Sequence, residues 1–367
     1  MKICLIAPAE NYHTRKWCAW FLAQGYEVSV VSFTEGEIPG VSVFCIDTGA
    51  GVEDSDLSKL RYLTAWRKIR KTVEGIGPDI ISVHYATSYG VTVALSGIRD
   101  YSLSVWGLDI YDFPRRSVLH RAMLKYSLRK APRLLSTSQA MADEAAKYTS
   151  KEFFVTPFGV DMELFHPGKR VREEVPGEDG TVVFGTVKGL SDKYGIAEML
   201  RAAALVRDEG FSIALRIAGK GPQEAEYKAL SAELGIEGIV TWLGFVDQET
   251  AAREWANMDV ALIPSTEESE SFGVSAVEAQ ACGVPVIISD IPGLMEATVP
   301  GETCKVVARK NVRELADAME WMIRNPEARR EMGIRGREFV AREFELDKCF
   351  RHIEKVLSDG FSERKSV

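Results

Sequence analysis

No stretch of this 367-residue chain contains the roughly 20 consecutive apolar residues that a membrane-spanning helix needs. Its six cysteines (Cys4, Cys18, Cys45, Cys282, Cys304 and Cys349) are scattered and form no Cys-x-x-Cys pair. That spacing argues against a disulfide framework and against a zinc site, and a reducing cytoplasm is the expected location. The turn after the first apolar run lacks the Gly-x-Gly-x-x-Gly fingerprint, which disfavours a dehydrogenase. No pyridoxal-binding lysine motif is found, which disfavours a phosphorylase-like enzyme. No Asp-x-Asp carboxylate pair stands out as a metal site. Positive charge is also in deficit: 45 Lys+Arg face 53 Asp+Glu, a net charge of −8, which argues against a general nucleic-acid binder.

What the chain does have is the composition of a soluble globular protein, 46% hydrophobic and 27% charged. Its length fits two domains, each large enough for its own core. Met1–Pro8 is too short an apolar stretch for a signal peptide and lacks a small-residue cleavage site, so it reads as a buried first strand. Short β-branched runs alternate with helical patterns. Strands are expected at 2–7, 26–33, 41–46, 79–85, 101–106, 133–138 and 152–156, with helices at 13–24, 57–74 and 115–130. The pattern then restarts, with strands at 181–187, 213–218, 239–242, 259–263, 285–289 and 304–307. Helices fit at 194–208, 222–234, 248–256 and 273–281, and only helices are expected from 311 onward.

Continuous apolar strands alternating with helices predict an α/β fold of two Rossmann-like, doubly wound parallel sheets. The expected domains are 1–165 and 181–345. A Pro-, Gly- and charge-rich linker at 166–180 joins them, and a helix and tail at 346–367 packs back on the first domain. If the carboxyl ends of the two sets of strands face each other, a ligand cleft lies between the domains. That arrangement suits transfer chemistry and also a hinged binding protein.

The most informative stretch runs from Glu267 to Pro285, after strand 259–263 and into a helix of small residues. Free N–H groups at that helix start, around Phe272, Gly273 and Val274, can receive an anionic or hydroxyl-rich ligand. Glu270 and Glu278 can each accept hydrogen bonds from pairs of sugar hydroxyls; the alternative is an acidic surface run. In order and content, the segment closely resembles the Glu-(seven residues)-Glu signature of glycosyltransferase family 4, which has the GT-B fold. Ile217–Pro222 is similar to the family's Gly-x-Gly-Pro turn around Gly221. Leu243–Val246 resembles its nucleobase loop, through Phe245 and Val246, and Thr156–Pro167 resembles its hinge entry.

The resemblance implies a retaining transfer of a hexose-type sugar from a nucleotide sugar, such as a UDP- or GDP-sugar, to a glycan or lipid-linked acceptor. Glu278 would bind the donor ribose, and Glu270 the transferred sugar. Family members usually hold the diphosphate with an Arg and a Lys. Lys193 matches the Lys, while Thr186 stands at the Arg position with Lys188 nearby as a substitute; the alternative for each lysine is a solvated side chain. With these cations, neither a metal nor another cofactor is expected. A nucleotide-sugar epimerase and a non-catalytic nucleotide-sugar-binding protein are the other readings.

In the first half, the loop after the first strand carries His13 and Thr14 where the family is commonly Gly-rich, and both are candidate cleft residues. Trp106 stands where many members carry a histidine, and its indole cannot act as an acid or base. Asp109 and His84 are therefore the candidate reactive groups of this half. Front-face attack, in which the departing phosphate oxygen helps to deprotonate the acceptor, tolerates the change. Residues 115–133 contain seven Lys and Arg and no acid. They read either as an anionic-acceptor or peripheral membrane surface, at the inner face, or as the solvated face of an ordinary helix.

Overall fold

A computed structural model describes residues 1–48, 60–171 and 180–362. The start of the expected helix 57–74, most of the linker 166–180 and the extreme tail lie outside them. The chain divides into two compact units, Met1–Phe158 with Phe350–Val367, and Gly159–Cys349. The division thus falls earlier than the expected end at residue 165. Val160 donates to Phe344 O at 2.8 Å and Leu346 donates to Val160 O at 3.0 Å, so the chain after Phe158 is tied into the second unit.

The first unit is a seven-stranded sheet in the order β3-β2-β1-β4-β5-β6-β7. Its strands are β1 (Lys2–Ile6), β2 (Glu27–Ser32), β3 (Ser42–Cys45), β4 (Ile80–His84), β5 (Ser102–Val105), β6 (Arg133–Ser136) and β7 (Phe153–Val155). Every pairing is parallel. Ile6, Val31, Val83, Leu103 and Leu134 from five strands meet Ile69, Val73, Leu124 and Leu128 from the covering helices in one core. The helix Tyr12–Ala23 starts on Asn11, whose side chain accepts from the His13 N–H at 2.8 Å, an Asn N-cap that places His13 in the first turn. The C-terminal helix Leu346–Ser362 ends in this unit. Phe350 lies 5.7 Å from the Trp17 ring and 5.4 Å from Trp20, and Tyr26 donates its hydroxyl to Glu354 at 2.7 Å.

The second unit is a six-stranded parallel sheet in the order β10-β9-β8-β11-β12-β13. Its strands are β8 (Val182–Val187), β9 (Ile213–Ala218), β10 (Val240–Gly244), β11 (Val260–Ile263), β12 (Val286–Ser289) and β13 (Cys304–Val307). Phe184, Leu215, Leu262 and Ile287 pack against Met199, Leu200, Leu315 and Met319 of its helices. In each sheet the order reverses direction once, between β1 and β4 and between β8 and β11. At such a point neighbouring loops leave in opposite directions and open a crevice at the strands' carboxyl ends.

All thirteen expected strands are present. The helices Ser88–Ser96 and Gln139–Ala145 were not anticipated, nor were the short ones Leu108–Tyr111, Phe113–Arg116 and Pro292–Glu296. The first reads Ser-Tyr-Gly-Val-Thr-Val-Ala-Leu-Ser and buries all but two of its residues, so it has no polar face to produce a helical stripe. The expected helix 57–74 is a 3-10 segment, Leu60–Ala65, followed by the α-helix Trp66–Ile76, and the expected 115–130 begins at Val118 behind a Ser117 cap.

Candidate functional site

In the second unit the candidate residues gather at the reversal between β8 and β11. Lys188 follows β8 and Glu270 lies in the loop after β11. Their side chains meet with Nζ donating to Oε2 at 2.7 Å, each about 10% exposed. Tyr194 completes the group: Lys188 Nζ lies 4.6 Å and Lys193 Nζ 4.8 Å from its ring centroid. Two ammonium groups near one aromatic ring make a local concentration of positive charge that the ring quadrupole helps to hold.

The backbone explains how Lys188 reaches this position. The turn after β9 presses so closely on the loop after β8 that a Cβ at Gly221 would sit 2.1 Å from Leu190 O. No other residue permits that approach. Leu190 N–H donates to Lys220 O at 3.0 Å, and Lys188 N–H to Ala218 O at 2.9 Å, so the lysine-bearing loop is held along its length. Gly221 thus sets the loop through backbone contact.

After Glu270, Phe272 is 3% exposed and packs edge-on against Phe344 at 5.3 Å. Gly273 takes φ +74° as the residue before the helix Val274–Ala281. Ser275 of that helix donates to Val187 O at 3.2 Å, tying the helix start to the end of β8. Glu278, 8% exposed, accepts from Trp255 Nε1 at 3.2 Å. That bond orients a carboxylate otherwise costly to bury. Phe245 is 75% exposed just after β10, with Val246 half-buried beside it.

In the first unit the corresponding reversal, between β1 and β4, is lined by His13, Thr14 and His84. His13 stacks on Phe158 at 3.8 Å and meets the edge of Trp106 at 5.7 Å. His84 is fully buried between Trp17, at 4.5 Å, and Trp106, at 4.6 Å, with Nε2 3.1 Å from Ser82 Oγ. Burial, reinforced by neighbouring His13, pushes the His84 imidazole down to about 3, so it is neutral at physiological pH. Burial and Lys16 push the His13 imidazole down to about 3 as well, and the residue as a whole is half-buried. Four buried polar atoms lie here without a protein hydrogen-bond partner: His13 Nδ1, Thr14 Oγ1, Trp17 Nε1 and His84 Nδ1. Such groups are rare in native folds unless a ligand or water serves them.

Asp109 has a different environment. It is 2% exposed and accepts the N–H groups of Ala86 at 2.9 Å, Trp106 at 3.1 Å and Gly107 at 2.9 Å. The carboxylate braces the loop after β4 against the loop after β5. Burial pushes its pKa up, and the three backbone bonds oppose that shift.

Residues 169–339 match the family model of glycosyl transferases group 1, and residues 2–138 match that of glycosyl transferase 4-like proteins. The D-inositol 3-phosphate glycosyltransferase of Arthrobacter sp. (strain FB24) is 32% identical over 368 residues, covering 89% of this chain and 84% of the relative. The chain belongs to glycosyltransferase family 4. A second relative, the MMP alpha-(1->4)-mannosyltransferase of Mycolicibacterium hassiacum, is 34% identical over 59% of this chain and 51% of its own.

The fold of this glycosyltransferase is GT-B. A sucrose-phosphate synthase from Thermosynechococcus elongatus superposes with a TM-score of 0.84 at 20% identity, over 99% of this chain and 100% of its own. Anabaena HepE in complex with UDP-glucose superposes with a TM-score of 0.79 at 19% identity, over 98% and 100%. Two residues of the glycosyltransferase's site were not anticipated. Tyr194, next to Lys193, had a signal in its position. Trp255 had none, because its contact with Glu278 depends on how two helices pack.

Proposed function

We propose that this glycosyltransferase moves a hexose-type sugar, with retention of configuration, from a nucleoside diphosphate sugar to a glycan or lipid-linked acceptor. The Lys188–Glu270 pair at the β8/β11 reversal carries this reading. The leaving diphosphate needs positive charge and the sugar needs a carboxylate, and the pair offers both at neighbouring positions. Lys188 and Lys193 would neutralise the diphosphate, with the N–H groups of Gly273 and Val274 at the helix start beside them. Glu278, oriented by Trp255, would hold the ribose hydroxyls, and Phe245 and Val246 would flank the base. The UDP-glucose bound by the Anabaena neighbour supports a donor of this class.

Of the two histidines at the first unit's reversal, His84 is fully buried and His13 only half-buried, so His13 would stand near the acceptor in place of the family histidine. His84 and Asp109 would position it and the surrounding loops. With no nucleophilic side chain required, the departing phosphate oxygen would accept the acceptor proton as the new bond forms on the same face. The anomeric proton of a fresh product, read by NMR, tests this: the donor configuration is expected to persist. An inverted linkage would overturn the mechanism.

A further inference from the structure

We propose that a cavity in the first unit takes an amphiphilic anion, the phosphate and first apolar carbons of an acceptor linked to a prenyl or other alkyl phosphate ester. The proposal rests on the reading that this unit takes the acceptor, and it selects the lipid-linked class over soluble glycans.

The cavity measures about 260 Å³, and its lining includes Tyr85, Leu108, Phe113, Arg116, His120 and Met123. Its wall is mainly apolar. Leu63, Leu108, Phe113 and Met123 offer no partner to a sugar hydroxyl, while Tyr62, Thr87 and Ser88 add polar groups to the lining. Asp109 also borders the cavity, but its carboxylate is engaged with three backbone N–H groups. Tyr85 is held at φ +67°, one of two non-glycine residues with positive φ among those described. Strain of this kind persists where surrounding structure enforces it, commonly at ligand sites. Here the Tyr85 N–H donates to Ser104 O at 3.0 Å, its carbonyl accepts from Gly90 at 2.9 Å, and its ring meets Trp106 at 4.9 Å.

Two cationic or protonatable side chains, Arg116 and His120, stand with this apolar lining. The His120 ring is anchored by Ser117 Oγ, 2.7 Å from Nδ1, and by the edge of Phe113 at 4.7 Å. Ser117 also caps the helix Val118–Lys130, so that helix N-terminus adds its dipole in the same stretch of chain. A guanidinium matches a phosphate in geometry as well as charge.

The surrounding surface has the same dual character. Leu108 is 53%, Val118 81% and Leu119 59% exposed, beside exposed Arg115, Arg116, Arg121 and Lys125. A solvated helix face explains the charges but not large apolar side chains left in water among them. A phosphate attached to a hydrocarbon chain satisfies both, with the cations meeting the phosphate and the apolar lining meeting the chain.

Isothermal titration of the full chain with geranyl phosphate, geraniol and inorganic phosphate tests the proposal, with UDP binding measured in parallel. Geranyl phosphate is expected to bind saturably, and the alcohol and inorganic phosphate at least about tenfold more weakly. Arg116→Gln should weaken geranyl phosphate about tenfold and leave geraniol unchanged. Met123→Gln should weaken both. UDP affinity, read from the second unit, should hold in both variants, and a far-UV circular dichroism spectrum and urea midpoint matching the parent report that the first unit folds. If UDP binds and geranyl phosphate does not, the pocket assignment is overturned while the donor reading stands; failure of UDP itself would count against the donor reading. Association seen only with anionic vesicles, lost in Arg121→Gln/Lys125→Gln but kept in Arg116→Gln and Met123→Gln, would assign the surface to headgroup attraction and overturn the pocket.

Discussion

Lys188 and Glu270 neutralise each other at 2.7 Å, each largely shielded from water. On the proposed reading a bound nucleoside diphosphate would compete for the lysine, and a bound sugar for the glutamate. Glu270→Gln should therefore release Lys188, leaving UDP affinity equal or tighter while UDP-sugar affinity falls. Lys188→Gln should weaken both by about tenfold, the scale of one charge-assisted contact. Titration calorimetry with UDP and a UDP-sugar separates these outcomes, and parallel losses in both variants would contradict the division of roles. His84 gives a second test. Its folded pKa, about 3, lies below the ordinary histidine value of about 6.5. Between those values the unfolded chain binds a proton that the folded chain does not, so stability falls as pH drops from about 6.5 toward 3. A His84→Asn variant should lose less stability than the parent over pH 6.5 to 4.5 in urea titrations, even if it starts lower.

Among the elements, β9 and the helix Gln248–Asn257 share a contact that no local pattern reveals. Arg216 on β9 forms a two-pronged pair with Glu254, Nε to Oε2 at 2.8 Å and a terminal nitrogen to Oε1 at 3.1 Å, both side chains almost fully buried. Glu254→Gln leaves a buried guanidinium without its counter-charge and should cost about 3–5 kcal/mol in urea unfolding. The double variant Arg216→Met/Glu254→Leu should recover much of that loss. A single variant no less stable than wild type would show the pair to be dispensable. The strand β9 itself was legible from its apolar run, but a lone Arg within it gave no sign of its partner. The helix Ser88–Ser96 was illegible for a related reason: buried on nearly all sides, it has no polar face to mark its period.

Across the whole molecule, charge is divided unevenly. Residues 1–165 sum to +1 (19 Lys+Arg, 18 Asp+Glu) and the remainder to −9 (26 and 35), together the −8 of the chain. Against that negative background, Lys188 and Lys193 are positioned cations, and they bear on how the leaving group is stabilised. If these two ammonium groups hold the diphosphate as proposed, transfer should persist in excess EDTA. Complete loss, restored by magnesium or manganese, would require a metal in the mechanism. Among the described residues no helix is long and apolar enough to cross a membrane.

Local order was determined by the sequence alone. Continuous apolar runs mark strands covered on both faces, and a period of about 3.6 residues marks helices with one face wet. Through the runs, their alternation with helices and the small-residue stretch behind Glu270, the strands, the restart of the pattern and that helix could be read. The Glu270–Glu278 spacing was legible as a motif because both residues lie on one continuous loop and helix. Only the tertiary structure decided which cation faces Glu270, since Lys188 is 82 residues away and meets it because β8 pairs with β11. The same holds for Trp255 against Glu278, for the brace from Asp109 to Ala86, and for the lining that Tyr85 shares with Met123. Each joins side chains on different elements, and sheet order, loop approach at Gly221 and helix packing set those distances. Sequence spacing carries no record of them.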